Sequence, residues 1–452
     1  MNDNFRNISY VLILLSTSFS SSIFAAKPFP YAISADTQII HAGTLLDLPG
    51  KPAKKEQTIV VRAGKVVSIH AGYLGKADIE GDDDKETVVD LRDEFVMPGF
   101  IDMHVHISKE YGSGGKIDAV TMGDADNALT GAMYARRTMR AGFTTLRDLG
   151  SRGDSIFALR DAIKAGKVPG PRLLVAGEAI TATGGHGDVH GFRQEVLDVI
   201  PSTATCDGPD SCRAAVRRQV KRGADVIKVT ATGGVLSETA AGTGQQLTDE
   251  ELKAIVETAH SLGRKVTAHA HAKEGIEAAL RAGFDSIEHA MWADKDTMKL
   301  FVKTGAWMMP TIYPITAVGD TPEKMKKGPF GNLPPPIMAK LLRLGRQPKD
   351  MGAMAYKMGV NIALGTDSGV SPHGENANEF VEYVNIGMSN KESLMAGTIN
   401  AAIAGGIDKI TGSLEQGKAA DIVAMPGNPL DDIEAVLSVD FVMRDGVIFR
   451  ND

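Results

Sequence analysis

The alternation of apolar and polar positions divides the chain into short strands at both ends and a strand–helix alternation between them. Residues 36–98 contain short apolar runs separated by Gly-containing turns, without a long helical period. The same pattern returns at the other end, in "ADIVAMPG" and "VDFVMRDGVIFR". Such runs predict β-strands. We expect residues 27–98 and 413–452 to pair into one small β-sandwich built from both chain termini.

Residues 99–412 alternate apolar runs with amphipathic segments. Segment "TDEELKAIVETAHSLG" is typical of the helices, with Thr248 as the N-cap and Gly263 as the stop. Eight runs predict strands: "GFIDMHVHI", "FTTLRDLG", "RLLVAGEAIT", "DVIKVTAT", "KVTAHAH", "SIEHA", "WMMPTIY" and "NIALGTDSG". Eight strands with crossover helices indicate an α/β fold, a (β/α)8 TIM barrel. An open, doubly wound sheet is the alternative, although no Gly-x-Gly-x-x-Gly follows the first strand.

The first 26 residues differ from the rest of the chain. The apolar block "ISYVLILLSTSF" precedes the small residues of "SSSIFAA", and Arg6 is the only basic side chain there. This arrangement predicts a secretory signal peptide at 1–26, and therefore a periplasmic or secreted protein; an uncleaved membrane anchor is the alternative. No other segment approaches the roughly 20 apolar residues of a membrane helix, so we expect no stable membrane span after processing.

Composition and charge narrow the class of partner. The 452 residues are 43% hydrophobic and 23% charged, which is ordinary for a globular protein. The net charge of −7 and the lack of a long basic run argue against a nucleic-acid partner. Barrel proteins often assemble into homo-oligomers, and the sequence leaves that question open.

The two cysteines, Cys206 and Cys212, lie close together in "TCDGPDSCR". In an exported protein this spacing favours a small disulfide that closes the loop. Free thiols are the alternative, and a zinc site would need two more ligands at similar spacing.

Imidazole and carboxyl side chains collect at the C-terminal ends of the predicted strands. In "FIDMHVHI", His104 and His106 share one strand face, opposite the apolar residues. The later strands add His269, His271, His289 and Asp367. Barrel enzymes carry their catalytic groups at this edge, and two imidazoles at His-x-His spacing are a natural metal chelate.

The fourth predicted strand, "DVIKVTAT", carries Lys228 among β-branched residues. An unpaired ammonium is costly to bury. One interpretation pairs Lys228 with a buried acid, but Asp225 lies on the wrong strand face for that. Burial also lowers the pKa of a lysine and so supplies a neutral amine.

Together, "PGFIDMHVH", "VIKVTATGG", "TAHAHAKEGI", "SIEHA", "GTDSG" and "GKAADIVAMPGNPL" resemble the amidohydrolase superfamily over nearly all of the chain after the predicted signal. The sequence is similar to its metal-dependent hydrolases, which include prolidase-like, N-acyl-amino-acid-cleaving and ochratoxin-cleaving members. The resemblance implies two divalent metal ions, usually zinc. The implied ligands are His104, His106, Lys228, His269, His289 and Asp367. It also implies a CO2-derived carbamate on Lys228 that bridges the ions, and a general-base role for Asp367.

Other polar residues near the same edge are candidates for binding substrate. The resemblance matches the first histidine of "HAH" to a ligand, which leaves His271 for the substrate pocket. His186 would reach the pocket from the loop after the third strand, and a loop-ordering role is its alternative. The predicted pocket residues are His271, His186, Ser108, Tyr111 and His373. Arg147 and Asp148 are expected to form a structural ion pair behind the ligands.

The expected function is that of an exported, binuclear metal amidohydrolase of N-acyl amino acids or dipeptides, including ochratoxin-type amides. Water activated by the metals would attack the carbonyl while Asp367 moves the proton. The first alternative is a cyclic-amide hydrolase or deaminase similar to imidazolonepropionase. Lys228 argues against this alternative, because imidazolonepropionase-like members lack the lysine on the fourth strand. The second is a non-catalytic periplasmic metal-binding protein, which Asp367 disfavours because the base is retained with all the ligands.

Overall fold

A computed structural model describes residues 29–79, 86–110, 117–200, 202–237, 242–318, 323–324, 335–344 and 347–452. The predicted signal peptide at 1–26 and the predicted pocket residue Tyr111 lie outside the described residues. Among the helices within these ranges, none is both long and apolar enough to cross a bilayer.

The described residues form fifteen strands and fourteen α-helices, together with 3-10 helices at Lys76–Asp78 and Ile433–Ser438. The strands are β1 (Thr37–Leu45), β2 (Lys54–Arg62), β3 (Lys65–Ala71), β4 (Thr87–Pro98), β5 (Phe100–Val105), β6 (Phe143–Asp148), β7 (Arg172–Val175), β8 (Val226–Thr230), β9 (Lys265–Ala270), β10 (Ser286–His289), β11 (Trp307–Met309), β12 (Asn361–Ile362), β13 (Ile422–Met425), β14 (Phe441–Arg444) and β15 (Val447–Asn451). The helices are α1 (Asp118–Thr121), α2 (Asp124–Arg140), α3 (Ser155–Lys164), α4 (Gln194–Leu197), α5 (Pro209–Arg222), α6 (Asp249–Ser261), α7 (Lys273–Ala282), α8 (Lys295–Thr304), α9 (Tyr313–Val318), α10 (Pro335–Leu344), α11 (Gln347–Lys357), α12 (Asn378–Asn385), α13 (Asn390–Ala396) and α14 (Ile399–Gly405).

Both ends of the chain contribute to one seven-stranded sheet, in the order β15-β14-β13-β4-β1-β2-β3. The pairing of the two ends agrees with the sequence prediction, but a sandwich of two sheets is not confirmed. The physical reason lies in β4, which pairs along one edge with β1 and along the other with β13, where Pro98 lies opposite Ile422. A strand paired on both edges joins its neighbours into a continuous sheet.

The middle of the chain forms eight parallel strands, β5 to β12, which is a TIM-barrel-type α/β arrangement. Their regular ladders are β5-β6-β7 and β8-β9-β10-β11-β12, so the described strands do not make one continuous closed ladder. Single bridges lie at both breaks, between Ile180 and Val229 and between Val105 and Ser368. The strands keep their sequence order around the sheet, which distinguishes this arrangement from the doubly wound alternative.

The helix predicted after β8 shows how the local sequence determines where a helix begins and ends. The Thr248 side chain accepts a hydrogen bond from the Glu251 backbone N–H at 3.3 Å, and Glu251 accepts one from the Thr248 N–H at 2.7 Å. This capping box satisfies two N–H groups at the start of α6 that have no partner within the helix. Gly263, with φ of +67°, lies just past the end of α6, as predicted.

The outer face of β5 fixes the direction of its histidines. Ile101 and Met103 are fully buried against Ala401 and Ala402 of α14. Because side chains alternate along a strand, burying this apolar face turns His104 toward the opposite face of the sheet.

Cys206 and Cys212 are joined by a disulfide, with Cα atoms 4.9 Å apart. Both residues are buried, and Cys212 lies in the first turns of α5. The bond therefore closes a short loop that joins the residues just before α5 to the start of that helix.

Candidate metal centre

The six predicted metal ligands come from six different places along the chain and converge at one end of the parallel strands. They are His104 on β5, His106 just after β5, Lys228 on β8, His269 on β9, His289 at the end of β10 and Asp367 after β12. Five of them, all except Lys228, form two groups together with His271. In each group the three possible ligand atoms lie within 4.8 Å of one another.

The first group consists of His104, His106 and Asp367. Oδ1 of Asp367 lies 3.3 Å from Nε2 of His104 and 3.2 Å from Nε2 of His106. Although burial alone would raise the pKa of Asp367, the two imidazoles hold it well below its usual range. The carboxylate is therefore ionised at neutral pH and can serve as a ligand.

The second group consists of His269, His271 and His289. The His269 ring centroid lies 4.6 Å from each of the other two. Burial lowers the pKa of His269 and His289 well below the usual value, and the charges of neighbouring imidazoles lower both further, although Asp367 opposes this at His289. Neutral imidazole is the form that binds a metal ion. His271, predicted for the substrate pocket, thus lies where it could also act as a ligand.

Lys228 lies on β8, which pairs with β9, the strand that carries His269. Lys228 is 3% exposed, and within the described part of the chain its Nζ has no hydrogen-bond partner. Burial lowers its pKa to about 8. Its charge lowers the pKa of His104 in one group and of His289 in the other. No carboxylate among the described residues forms an ion pair with Lys228, so the paired-lysine interpretation finds no partner there.

This set of donors fits two divalent metal ions. Imidazole and carboxylate are suitable ligands for zinc and similar ions. A buried amine with a lowered pKa and no hydrogen-bond partner in the described part of the chain also fits a carbamate, since a neutral amine is required to react with CO2.

Glu288 is the residue of the site that the sequence interpretation missed. Its Oε2 lies 2.9 Å from Nδ1 of His104, and its Oε1 accepts a hydrogen bond from Nη2 of Arg147 at 2.8 Å. Regular alternation would place Glu288 and His289 on opposite faces of β10. The positive φ of His289, +71°, turns its side chain out of that alternation, so that both residues serve the same site.

Arg147 therefore supports the ligands, but its partner is Glu288 and not Asp148 as predicted. Asp148 instead accepts hydrogen bonds from the Ile107 N–H at 2.8 Å and the Ser151 hydroxyl at 2.9 Å. Neighbouring residues on a strand point to opposite faces, which separates Arg147 from Asp148.

Replacing Glu288 by glutamine is expected to weaken metal binding by about 10- to 100-fold, because a carboxylate partner orients a ligating imidazole and raises its basicity. Competition against a metal-binding dye would measure the change. Glu257→Gln, an exposed position on α6, is the control and should leave the affinity unchanged. Equal affinities for Glu288→Gln and the unaltered protein would contradict this role.

The predicted pocket residues separate into two sets. The His186 ring lies with its centroid 4.2 Å from that of His269, and it packs against Gly234, where a Cβ would come within 2.1 Å of the ring. His373 points elsewhere: its Nε2 lies 2.8 Å from the Lys109 carbonyl, and its ring packs against Tyr134. His373 lines a surface cavity to which none of the predicted ligands contributes.

Helix α10 lies close to the site. Lys340 on this helix donates hydrogen bonds to the Gly234 carbonyl at 2.8 Å and to the Ser237 carbonyl. Leu341 packs in an apolar cluster with Val235 and Met291. The helix is thereby attached to the loop that contacts the His186 ring.

Comparisons with known proteins identify one family. The sequence profile of the amidohydrolase family matches residues 95–449. Ochratoxinase from Aspergillus niger is 33% identical over 442 residues, a match that covers 92% of this chain and 87% of the relative.

Two solved structures are similar over nearly the whole fold. A Xaa-Pro dipeptidase with methionine bound in its active site is 38% identical, with a TM-score of 0.84 over 92% of this chain and 100% of that one. A prolidase complexed with N-methylphosphonate-L-proline is 27% identical, with a TM-score of 0.80 over the same shares of the two chains.

Proposed function

The chain belongs to the amidohydrolase family and is a hydrolase of amide bonds, and we propose that it acts as a binuclear metal enzyme on N-acyl amino acids and dipeptides. The observation that carries this proposal is Lys228, whose buried Nζ has no hydrogen-bond partner among the described residues and whose charge acts on both groups of metal-binding side chains. A single-metal enzyme of the deaminase kind would not need an amine there.

In the proposed reaction, two bound zinc ions would lower the pKa of a coordinated water and polarise the carbonyl of the substrate. The residues of the chain have distinct tasks. Asp367 is ionised and accepts a proton from the attacking water, then transfers it to the leaving nitrogen. Lys228 would hold the ions as a carbamate, and the imidazoles of both groups would complete their coordination. His186, packed against His269, would contact the substrate.

The substrate class is proposed from the relatives. One is an ochratoxinase, one a Xaa-Pro dipeptidase and one a prolidase bound to a proline derivative. We propose that this enzyme likewise cleaves an amide between an acyl group and an amino acid, with ochratoxin-type amides among the candidates.

We also propose that the enzyme is exported. The support is the apolar block and small residues within 1–26, together with the Cys206–Cys212 disulfide. Disulfides persist in oxidising compartments such as the periplasm.

A hydrolysis screen tests the proposed function. Purified enzyme is incubated with N-acyl amino acids and dipeptides, and the released amine is measured. We expect cleavage of at least one such amide, close to two metal ions per chain by elemental analysis, and loss of activity on chelation that zinc restores. Full activity in the chelated enzyme, or one ion per chain at saturation, would contradict the binuclear mechanism.

A further inference from the structure

Two of the candidate ligands are oriented through the ring nitrogen Nδ1, which leaves Nε2 for a metal ion. For His104 the partner of Nδ1 is a buried carboxylate. Nδ1 of His106 lies 3.1 Å from the Gly150 carbonyl oxygen, in the turn after β6. This turn is joined to the turn after β5, because Oγ of Ser108, a predicted pocket residue, lies 3.0 Å from Oγ of Ser151. The surroundings of each ring thus determine which nitrogen stays free.

His289 has the same arrangement, and its partner is Thr311, two residues after the end of β11. Nδ1 of His289 lies 2.8 Å from Oγ1 of Thr311, and both residues are buried. If Nε2 of His289 is the nitrogen that binds a metal ion, Nδ1 carries the proton and donates it to the Thr311 hydroxyl oxygen. The hydroxyl is therefore placed to hold the ring with Nε2 free.

The backbone of Thr311 is in a conformation that threonine rarely adopts. Its φ is +50°, in the left-handed region, which strongly disfavours β-branched side chains. Such a conformation persists only where surrounding contacts impose it, and it is concentrated at functional sites. His289 and Asp367 also have positive φ, of +71° and +54°. Thr311 therefore shares this strain with two of the candidate ligands.

Glu379, on α12, holds the residues that follow Thr311. Its Oε1 accepts a hydrogen bond from the Ile312 N–H at 2.8 Å, and its Oε2 accepts one from the Tyr313 N–H at 2.7 Å. The side chain is fully buried, and no cation in the described part of the chain forms an ion pair with it. Two backbone donors on adjacent residues require two acceptor oxygens, which a carboxyl group supplies and an amide does not.

We propose that Thr311 and Glu379 are positioning residues for His289. The Thr311 hydroxyl holds the imidazole with Nε2 free, and Glu379 holds the backbone of Thr311 in the conformation that places this hydroxyl. The inference rests on the proposed function, because it takes His289 to be a metal ligand, and it adds two residues that act through that ligand. Since both residues determine the orientation of the ring, their loss is expected to weaken metal binding.

The test measures zinc affinity by competition with a metal-binding dye in two variants of Thr311. Thr311→Val keeps the shape and the β-branching of the side chain but loses the hydroxyl, and it is expected to weaken zinc binding by about 10- to 100-fold. Thr311→Ser keeps the hydroxyl and should restore most of the affinity. Thr138→Val is the matched control, because the buried Thr138 hydroxyl on α2 has no hydrogen-bond partner among the described residues. This control should bind zinc like the unaltered protein.

Glu379→Gln tests the second part of the proposal. Its amide nitrogen would face one of the two backbone N–H groups, so one hydrogen bond of the turn is lost. We expect weaker zinc binding, whereas Glu382→Gln on the same helix, which loses the ion pair with Lys349, should bind zinc normally. A folded Glu379→Gln protein with normal zinc affinity would remove Glu379 from the proposal. If Glu379→Gln does not fold, the two Thr311 variants decide the outcome.

Nuclear magnetic resonance of the zinc-loaded enzyme with isotope-labelled histidine gives a readout that a general loss of stability would not produce. We expect one imidazole N–H proton signal to move to higher field in Thr311→Val, because its hydrogen bond is lost, and to keep its position in Thr311→Ser and Thr138→Val. Unchanged zinc affinity in Thr311→Val, or equal losses of affinity in Thr311→Val and Thr311→Ser, would overturn the proposal.

The failure of this inference is distinguishable from the failure of the proposed function. If Thr311→Val weakens zinc binding but the unaltered protein hydrolyses no amide, the proposed function fails and the positioning role stands. If amides are hydrolysed but Thr311→Val binds zinc like the unaltered protein, the positioning role fails and the proposed function stands.

Discussion

Replacing Lys228 by alanine is expected to lower amide hydrolysis by roughly 100-fold or more, since even the loss of a group behind a metal ligand costs 10- to 100-fold. The metal content should fall with the activity. The reason is that Lys228 has a buried Nζ and acts on both ligand groups, and alanine leaves neither an amine to be carboxylated nor an anion to offset two cations.

If Lys228 carries a carbamate, we expect a second and more specific result, rescue of the alanine variant by a small carboxylate. A small carboxylate such as acetate could occupy the space that the lysine side chain leaves and bridge the ions in its place. Activity and metal content in Lys228→Ala should therefore rise with added acetate, measured by elemental analysis and by the rate of amine release.

Lys265→Ala is the matched control for this experiment. Lys265 begins the neighbouring strand β9, at the end away from the ligands, and pairs with Asp285 at 3.5 Å. It should keep its metals and its rate. A Lys228→Ala protein that holds two ions and full activity without acetate would exclude the carbamate.

Replacing Asp367 by asparagine is expected to lower kcat by about 100- to 10,000-fold, the usual contribution of a positioned general base. Asparagine keeps the size of the side chain and loses the ability to accept a proton. Steady-state kinetics on the best amide of the screen, with urea unfolding to show that the fold is retained, measure the effect. Asp161→Asn, exposed on α3, is the control.

The same variant separates the competing functions. A non-catalytic metal-binding protein would show no amide hydrolysis in either form. Undiminished hydrolysis by Asp367→Asn would remove Asp367 from the reaction and contradict the proposed mechanism.

Much of the site could be predicted because its signals are local. The alternation of side chains along a strand places His104 and His106 on one face. Lys228 is identified as a candidate because it is a lysine within an apolar strand. The features of the site that could not be predicted from the sequence depend on backbone geometry or on the pairing of residues far apart in the chain. Glu288 and His289 serve the same site because His289 has a positive φ, and the alternation of apolar and polar residues does not predict a positive φ.

The other differences between the sequence prediction and the structure arise from contacts between distant parts of the chain. The partner of Arg147 lies on β10, far along the chain, and only the assembled strands bring Glu288 to it. The terminal runs form strands as predicted, but the sequence pattern of a strand does not indicate whether two groups of strands stack face to face or pair edge to edge. That choice depended on β4, which has a hydrogen-bonding partner on each side.

The double pairing of β4 also constrains how the protein can be made. Gly99 alone separates β4 from β5, the strand that carries His104. During synthesis one edge of β4 stays open until residues 422–425 have emerged, and an open edge is a site for pairing with other chains. The edge of β4, the strand that leads directly into the metal-binding strand β5, is therefore closed only when nearly the whole chain is available.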